Sequence, residues 1–431
     1  MYLIIFYNKR ATSLNIIDEL SWRGAVNQMT DEEGLRKLTE EKSISLYCGV
    51  DPTGDSMHIG HLIPFMMLKR FANAGHHPFV VIGGGTGTIG DPSGRKTERQ
   101  LQTLDTIKNN AEKLKAQFTH LFGDSENITF VNNYDWLSQI GLLEFLRDYG
   151  KLFSVNIMLS KEVVASRLEA GISFTEFSYQ ILQSIDFEHL FSKNDVQLQI
   201  GGADQWGNIT AGIDTIRKMH GSEAKAFGLT IPLMLKSDGT KFGKTAGGAV
   251  WLDPEKTSPF EFYQFWLNQD DADVVKYLKY FTFLSKEEID ALAEAVETEP
   301  EKRLAQRRLA EEVTTFVHSP EALKEAQNIT EALYHGSIAD LSEHELEQAF
   351  GKMPTVDVTN EDKDVVNWLI DANIYKSKRQ AREDITNGAV TINGVKVTSV
   401  DEIVKPHKNS NGKFVIVRKG KKKYTLARVQ Q

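Results

Sequence analysis

The sequence of 431 residues contains a single cysteine, Cys48. One cysteine cannot form an internal disulfide, and it excludes a metal site built from several cysteines. Long apolar runs are also missing, because no stretch approaches the ~18 apolar residues that a membrane-spanning helix needs. The apolar start, residues 1–7, has neither the basic residues before it nor the cleavage site after it that a signal peptide has. We therefore predict a cytoplasmic protein without a membrane partner, in which residues 1–13 form a loose N-terminal extension.

Charge is distributed unevenly along the chain, whose formal net charge is −9. Residues 371–431 contain 14 Lys and Arg against 5 Asp and Glu, so this segment carries +9 and the rest of the chain carries −18. A basic end on an acidic body predicts that a polyanion binds at that end. A basic surface that is merely solvated would have the same composition.

Apolar patterning in the first half of the chain changes repeatedly between two kinds. Short apolar runs that end in glycine or Asp-Pro predict buried strands at 44–50, 78–82 and 197–200. Apolar residues at helical spacing predict helices over 58–74 and 97–122. This alternation indicates the α/β class, with a Rossmann-like parallel sheet that binds ligands beyond the carboxyl ends of its strands.

The rest of the chain changes character twice. Helical periodicity with interleaved charges follows the sheet. Asn-Gly pairs near the C-terminus, Asn387-Gly388 among them, predict turns between short strands. The predicted parts are a Rossmann-like domain at 14–240, a mobile loop and linker at 241–257, a helical domain at 258–350, a polar linker at 351–364 and a small basic α+β domain at 365–431.

Two histidines stand three residues apart after the first strand, in the segment H-I-G-H formed by His58 to His61. This spacing places both side chains on one face at the start of a helix, where phosphate is attracted and imidazoles can donate hydrogen bonds to it. A metal pair would have the same spacing, but no third ligand is evident nearby. A purely structural role for the pair is the remaining alternative.

A second segment, K-F-G-K-T at residues 241–245, combines Lys241 and Lys244 with the hydroxyl of Thr245. Glycines make this loop mobile, and its cations suit the binding of a triphosphate during a reaction. Its spacing is not that of a P-loop. Taken alone, the segment is also compatible with a solvated turn.

Together the two segments resemble the signature motifs of class I aminoacyl-tRNA synthetases. K-F-G-K-T departs from the commoner K-M-S-K-S form and is typical of tyrosyl enzymes. The resemblance to bacterial tyrosyl-tRNA synthetases extends from about Leu20 to the C-terminus. Further similar segments are LYCGVDPT at 46–53, GDPSG at 90–94, ISFTEFSY at 172–179, QIGGADQWGN at 199–208 and SKRQAR at 377–382.

The resemblance implies the residues of the site. Tyr47 and Asp186 would bind the phenol of L-tyrosine. The remaining tyrosine-binding residues would be Thr86, Asp91, Asn133, Tyr179, Gln183 and Gln205. Residues that would line ATP are Gly49, Asp51, His58, His61, Gly202, Asp204 and Lys244. Stabilisation of transition-state charge would come from Thr53, His58, His61, Lys241, Lys244 and Thr245, with Arg95 and Arg99 as further phosphate contacts.

The resemblance also implies the reaction and its partners. Tyrosine would be activated with ATP, accompanied by Mg²⁺ on the phosphates and by no metal site of the protein, and then transferred to tRNA(Tyr). The tRNA would contact the basic domain at Lys376, Lys378, Arg379, Arg382, Lys421, Lys422 and Lys423. A homodimer is implied, with its interface near residues 132–159, which are rich in Phe, Leu and Tyr.

Three other functions are compatible with parts of the pattern. A small-molecule nucleotidyltransferase shares the two-histidine motif, but it would need neither the tyrosine-shaped pocket nor a basic RNA module. A tryptophanyl synthetase would not place Tyr47 and Asp186 to meet a phenol. A non-enzymatic RNA-binding protein on the same scaffold would be indicated by loss of the histidines or lysines, and both motifs are intact.

Overall fold

The computed structural model describes residues 14–93, 97, 99–123, 127–169, 171–240, 242–245, 248–335, 338–408, 413–420 and 423–430. The predicted extension 1–13 and the predicted site residues Arg95, Lys241, Lys421 and Lys422 lie outside this part of the chain. The protein forms two compact units, each described here by itself. The first comprises the residues up to Asp253 together with Asp270–Ala305, and the second comprises Pro254–Gln269 and the residues from Gln306 on.

The secondary structure has the following bounds. The helices are α1 Ile16–Trp22, α2 Glu32–Glu41, α3 Ile59–Asn73, α4 Leu104–Phe122, α5 Tyr134–Leu137, α6 Leu142–Glu144, α7 Val155–Ser160, α8 Glu162–Ala165, α9 Phe174–Asn194, α10 Trp206–His220, α11 Pro259–Leu267, α12 Asp271–Phe281, α13 Lys286–Thr298, α14 Leu304–Val317, α15 Pro320–His335, α16 Glu343–Phe350, α17 Val365–Asp371 and α18 Lys378–Thr386. The strands are β1 Gln28–Met29, β2 Ser45–Val50, β3 His77–Ile82, β4 Thr129–Asn132, β5 Val196–Gly202, β6 Phe227–Ile231, β7 Lys244–Thr245, β8 Gly248–Ala249, β9 Thr355–Thr359, β10 Lys363–Asp364, β11 Val390–Ile392, β12 Val395–Lys396, β13 Ile403–Val404, β14 Phe414–Lys419 and β15 Lys423–Gln430. None of the described helices is long and apolar enough to cross a membrane.

A six-stranded sheet organises the first unit, in the order β1-β6-β5-β2-β3-β4. Strands β2 to β6 are parallel, and only the edge strand β1 runs antiparallel, beside β6. The chain builds the sheet outwards from β2 to β4 and then returns to place β5 on the other side of β2. This reversal opens a crevice at the carboxyl ends of β2 and β5, where parallel sheets bind ligands. The α/β class and the parallel sheet predicted from the sequence are confirmed.

Helices α9 and α10 pack closely against each other in the first unit. Ser173 caps α9 by accepting a hydrogen bond from the amide of Glu176 at 3.2 Å, so the helix begins directly after a loop. Gly212 of α10 lies so near Phe187 of α9 that an added Cβ would stand 3.0 Å from the ring. This close approach matters for the site because Phe187 contacts Tyr47 with ring centroids 5.4 Å apart.

The second unit contains a five-stranded sheet in the order β12-β11-β14-β15-β9. Successive side chains of a strand point to opposite faces, and both faces of this sheet are covered. Ile416 and Leu426 pack in a cluster with Phe350 at the end of α16. Val415 and Val417, on the other face, belong to a second cluster that includes α17 and α18.

The structure corrects the predicted domain boundaries in two places. The segment 351–364, predicted to be a linker, contains β9, which pairs in parallel with β15. Its sequence TVDVT alternates apolar and polar residues as a strand with one buried face does, and Val358 is buried there. The predicted helical domain 258–350 is also divided, because α12 and α13 belong to the first unit and α11 to the second.

Two local predictions are corrected as well. The predicted helix 97–122 begins later, at Leu104, where Thr103 caps it. The pair Asn387-Gly388 does not join two strands. It ends α18, and Gly388 adopts a φ of 65° there, the left-handed conformation common after helices.

The close packing of α9 and α10 gives a test with two glycines of one helix. We expect Gly212→Ala to lower the free energy of unfolding by about 1–2 kcal/mol, because the new methyl group collides with Phe187. Gly207→Ala should not lower it, because no atom lies within 4 Å of a Cβ there and alanine favours the helix. Urea unfolding of both variants measures the difference, and equal effects would contradict the packing argument.

Candidate active site

A cavity of about 370 Å³ opens at the carboxyl edge of the first unit's sheet. Its walls come from the ends of β2 and β5, the loop after β3 and one face of α9. The lining includes fifteen predicted site residues: Tyr47, Gly49, Asp51, Thr53, His61, Thr86, Asp91, Arg99, Asn133, Tyr179, Gln183, Asp186, Gly202, Asp204 and Gln205. The structure therefore gathers side chains that are up to 158 positions apart in the sequence into one pocket.

Asp186 is held at the inner end of this pocket by two donors. Its Oδ2 accepts a hydrogen bond from the side-chain amide of Asn133 at 2.9 Å, and its Oδ1 accepts one from the indole of Trp136 at 2.8 Å. The residue is only 4% exposed, and burial raises the pKa of its carboxyl to about 7.

Tyr47, on β2, lies in the same part of the pocket. It is 2% exposed, and its hydroxyl has no hydrogen-bond partner among the described residues. A buried hydroxyl without a partner is costly, so this position favours a ligand with a polar group. Burial also raises the pKa of Tyr47 well above its usual value, which keeps the phenol neutral.

A second group of polar side chains lines the middle of the pocket. Asp51 accepts hydrogen bonds from the hydroxyls of Thr86 at 2.7 Å and Tyr179 at 2.8 Å. It thereby connects a position predicted for ATP with two positions predicted for tyrosine. Burial raises the pKa of Asp51 to about 6 despite these two donors.

Gln205 connects the remaining predicted tyrosine-binding residues. Its amide donates to Asp91 at 2.8 Å, and its carbonyl oxygen accepts from Gln183 at 3.2 Å. Asn208 donates to Gln183 at 3.0 Å and extends the network. The carboxylate of Asp91 and the side-chain oxygens of Gln183 and Gln205 are acceptors that suit a small cation such as an ammonium group.

The two histidines cap α3 through their own side chains. Nδ1 of His58 accepts from the amide of Gly60 at 3.1 Å, and Nδ1 of His61 accepts from the amide of His58 at 3.3 Å. The rings stack with centroids 3.8 Å apart. Because each Nδ1 accepts a hydrogen bond, the proton of each neutral ring is on Nε2. Burial lowers the pKa of His61 to about 3, so this ring acts as a neutral donor.

The segment that follows the sheet approaches the same helix. Lys244 and Thr245 form β7, which pairs with β8, and of these two residues the structure describes the backbone. Their side-chain roles, and those of Lys241, therefore stay predictions. Thr53 is exposed at the pocket rim, and Arg99 donates to the carbonyl oxygen of Asp91 at 3.3 Å.

The sequence analysis missed two residues: Gln199, which lines the pocket, and Trp136, which donates to the pocket residue Asp186. Trp136 is three positions after Asn133, and this helical spacing on one face could have indicated a shared partner. Gln199 is buried in β5, where it pairs with Tyr47 of β2, and its carbonyl oxygen has no partner among the described residues. A polar residue between the apolar residues Leu198 and Ile200 of the strand was the available signal.

The predicted polyanion-binding residues of the second unit lie on its surface. Lys376, Lys378, Arg379, Arg382 and Lys423 are all exposed. Four of them are on or beside α18, whose buried side carries Ala381 and Ile385. The helix thus presents a basic face, as the sequence predicts.

The fold and this pocket define an α/β protein with a polar cavity at the carboxyl edge of a parallel sheet, where two histidines cap the adjacent helix α3. His61 lines the cavity, and His58 is not among its lining residues. Comparison with known families agrees. The family of class I tRNA synthetases for tryptophan and tyrosine matches residues 39–335, and a tyrosine–tRNA ligase C-terminal domain matches residues 345–427. The chain therefore belongs to the class I tRNA synthetases of the tryptophan and tyrosine group, a family that uses ATP.

Curated relatives extend over nearly the whole chain. The chain is 70% identical to tyrosine–tRNA ligase 1 of Enterococcus faecalis, over 96% of this chain and 100% of that protein. It is 70% identical to the tyrosine–tRNA ligase of Latilactobacillus sakei, over 96% and 99% of the two chains.

Solved structures share the fold. A C-terminally truncated mitochondrial tyrosyl-tRNA synthetase of Aspergillus nidulans has a TM-score of 0.68 at 32% identity, over 75% of this chain and 95% of that one. A tryptophanyl-tRNA synthetase of Encephalitozoon cuniculi has a TM-score of 0.54 at 15% identity, over 72% and 87%, and shows the common fold alone.

The raised pKa of Asp186 gives a test by pH. A carboxyl whose pKa is higher in the folded state than in the unfolded state costs stability as the pH rises from about 4 to about 7. We expect Asp186→Asn to raise the thermal midpoint of the ligand-free protein at pH 8, with the gain vanishing towards pH 4. Asp135→Asn, which makes the same change at an exposed position, serves as the control. A pH-independent difference for Asp186→Asn would contradict the assignment.

Proposed function

We propose that the protein activates L-tyrosine with ATP and transfers it to the 3′-terminal adenosine of tRNA(Tyr). The observation that carries this proposal is the unpartnered hydroxyl of Tyr47 beside the carboxylate of Asp186. A phenol between them would pair with both groups, whereas phenylalanine would leave the Tyr47 hydroxyl buried without a partner and would offer Asp186 no further donor. The relatives named tyrosine–tRNA ligase support the same substrate.

The activation step needs orientation and stabilisation of charge rather than a protein nucleophile. The tyrosine carboxylate attacks the α-phosphorus of ATP, a new oxygen–phosphorus bond forms, and pyrophosphate leaves with the electron pair of the broken bond. Asp91, Tyr179 and Gln183 would bind the ammonium group, with Gln205 nearby. The Nε2 protons of His58 and His61 would donate to the charge that grows on the phosphates. Lys241, Lys244 and Thr245 are proposed to bind the leaving pyrophosphate.

Magnesium is proposed to arrive with ATP. Among the described residues, no three His, Cys, Asp or Glu side chains stand together as a metal site. The phosphate oxygens themselves are the hard ligands that Mg²⁺ prefers. Bound there, the ion would neutralise charge on the triphosphate. Ribose contacts are proposed for Asp204, in the turn that follows β5.

In the transfer step the 3′ end of the tRNA must enter the pocket, while other parts of the tRNA are bound elsewhere on the protein. The exposed basic residues around α18 are proposed to contact phosphates of the tRNA, which accounts for the charge of the C-terminal segment. We place both steps in the cytoplasm, as expected from the sequence.

A homodimer is proposed through the segment 132–159. Within it Leu142 is 72% exposed, Leu143 is 80% exposed and Val155 is 58% exposed. Neighbouring exposed apolar side chains of this size mark interaction surfaces more often than free surfaces. A second copy of the chain would cover them.

Amino-acid-dependent exchange of labelled pyrophosphate into ATP tests the activation step without tRNA. We expect exchange with tyrosine and with none of the other nineteen amino acids. Tyr47→Phe should lower kcat/KM for tyrosine up to about tenfold, because one hydrogen bond to the phenol is lost. Exchange with another amino acid would refute the role of Tyr47 and Asp186, and absence of exchange would favour an RNA-binding protein on this scaffold.

Sedimentation equilibrium tests the dimer. We expect twice the chain mass of 48.5 kDa for the unaltered protein. The double variant Leu142→Lys and Leu143→Lys should sediment as a monomer, because four lysines would meet at the interface. Val395→Lys, which alters a side chain 67% exposed in the second unit, serves as the control. A monomeric unaltered protein would contradict the proposed interface.

A further inference from the structure

Helix α12 presents one buried face to the segment that carries the signature lysines. Asp273, Tyr277 and Phe281 are spaced four residues apart, so they lie in a row along this face. They are 2%, 0% and 1% exposed. The pocket does not include any of the three. Their common feature is contact with Ser237, shortly before K-F-G-K-T, or with Phe242, inside it.

Asp273 fixes the start of this segment. Its two carboxylate oxygens accept hydrogen bonds from the backbone amide of Ser237 at 3.0 and 3.1 Å, and Oδ2 also accepts from the Ser237 hydroxyl at 3.1 Å. Lys276, one turn along, donates to Asp273 at 3.2 Å and to the carbonyl oxygen of Leu235 at 2.6 Å. A buried carboxylate with this many donors defines the direction in which the chain leaves β6.

Phe242 fixes the middle of the segment. Its ring centroid lies 4.8 Å from that of Tyr277 and 5.3 Å from that of Phe281, and the side chain is 8% exposed. Aromatic rings at these distances attract one another beyond the area they bury. The residue between the two lysines is therefore a side chain anchored on α12.

The anchored segment lies against the helix that carries the histidines. Gly243 accepts from the amide of Val250 at 3.1 Å, and Val250 in turn accepts from the amide of Ile59 at 3.0 Å. A Cβ on Gly243, whose φ is 84°, would lie 3.2 Å from the Ile59 side chain. The backbone beside Lys244 thus contacts the first turn of α3.

We propose that Asp273 is a positioning residue for the activation step, and that the Asp273–Tyr277–Phe281 face of α12 holds the lysine segment in register with His58 and His61. Asp273 acts through Ser237 and touches no substrate. Phe242 holds the centre of the segment through its ring contacts with Tyr277 and Phe281. The inference rests on the proposed function, since it assigns these contacts to the stabilisation of the leaving pyrophosphate.

Removal of the anchor should affect the transition state and spare the binding of tyrosine. We expect Asp273→Ala to lower the rate constant for tyrosyl-adenylate formation, at saturating tyrosine and ATP, by about 10- to 100-fold, because small displacements of charged groups have effects of this size. The Kd for tyrosine without ATP should stay within about twofold, because the tyrosine pocket is formed elsewhere. Asp273→Asn keeps one acceptor oxygen and should fall between Asp273→Ala and the unaltered protein.

Asp271→Asn is the matched control. It changes the same residue type in the first turn of α12, but its side chain is 45% exposed and faces Arg303 at 3.9 Å. Single-turnover rates, equilibrium dialysis of tyrosine and thermal midpoints would be measured for each protein. An unchanged rate in Asp273→Ala, or an equal fall in Asp271→Asn, would overturn the inference. So would a parallel loss of tyrosine affinity, which indicates general structural damage.

Phe242→Ala tests the inference from the other side of the contact and decides the matter where Asp273→Ala does not fold. The expected result is again a lower rate with an unchanged Kd for tyrosine, and an unaltered rate would refute the anchor. The unaltered protein separates the two proposals. If it shows no tyrosine-dependent pyrophosphate exchange, the proposed function fails, whereas an active protein with active variants refutes the positioning role alone.

Discussion

The pairing of β2 with β5 is the constraint on which the rest of the first unit depends. These strands are adjacent in space and about 150 residues apart in the chain, and the direction of sheet building reverses between them. The reversal leaves the loops after the two strands diverging, so a cavity forms where they separate. Tyr47 and Gln199 face each other across this pairing. The pocket is thus a consequence of topology before any side chain is considered.

Buried carboxylates give the pocket its chemistry at a cost in stability. Asp186 and Asp51 both have raised pKa values, about 7 and about 6, because burial disfavours their charged forms. Neutral donors hold each of them in place, and none of these donors is a cation. These donors offset only part of the cost of burial. A polar ligand that donates hydrogen bonds to the carboxylates would therefore stabilise their charged forms further. Replacement by neutral residues would therefore favour the fold and harm the site.

Local features of the site follow directly from short-range sequence. His58 and His61 cap their own helix, so the spacing that suggests phosphate binding also fixes their tautomers. Tyr179, Gln183 and Asp186 share one face of α9 because helical periodicity requires it. The strand TVDVT could not be predicted from short-range sequence in this way. Its alternation is too short to distinguish from a polar linker, and only its partner β15 makes it a strand.

The sequence by itself determined the class of fold, the family and the residue types of the pocket, because periodicity, glycine turns and ordered motifs are local properties of the chain. Only the tertiary structure decided which side chains contact one another across the chain. Trp136 supports Asp186 over 50 positions, and Asp273 holds Ser237 over 36. It also decided that α12 belongs with the sheet while α11 belongs with the second unit. These contacts join residues whose separation in sequence carries no periodic signal, so they exist only once the chain has packed.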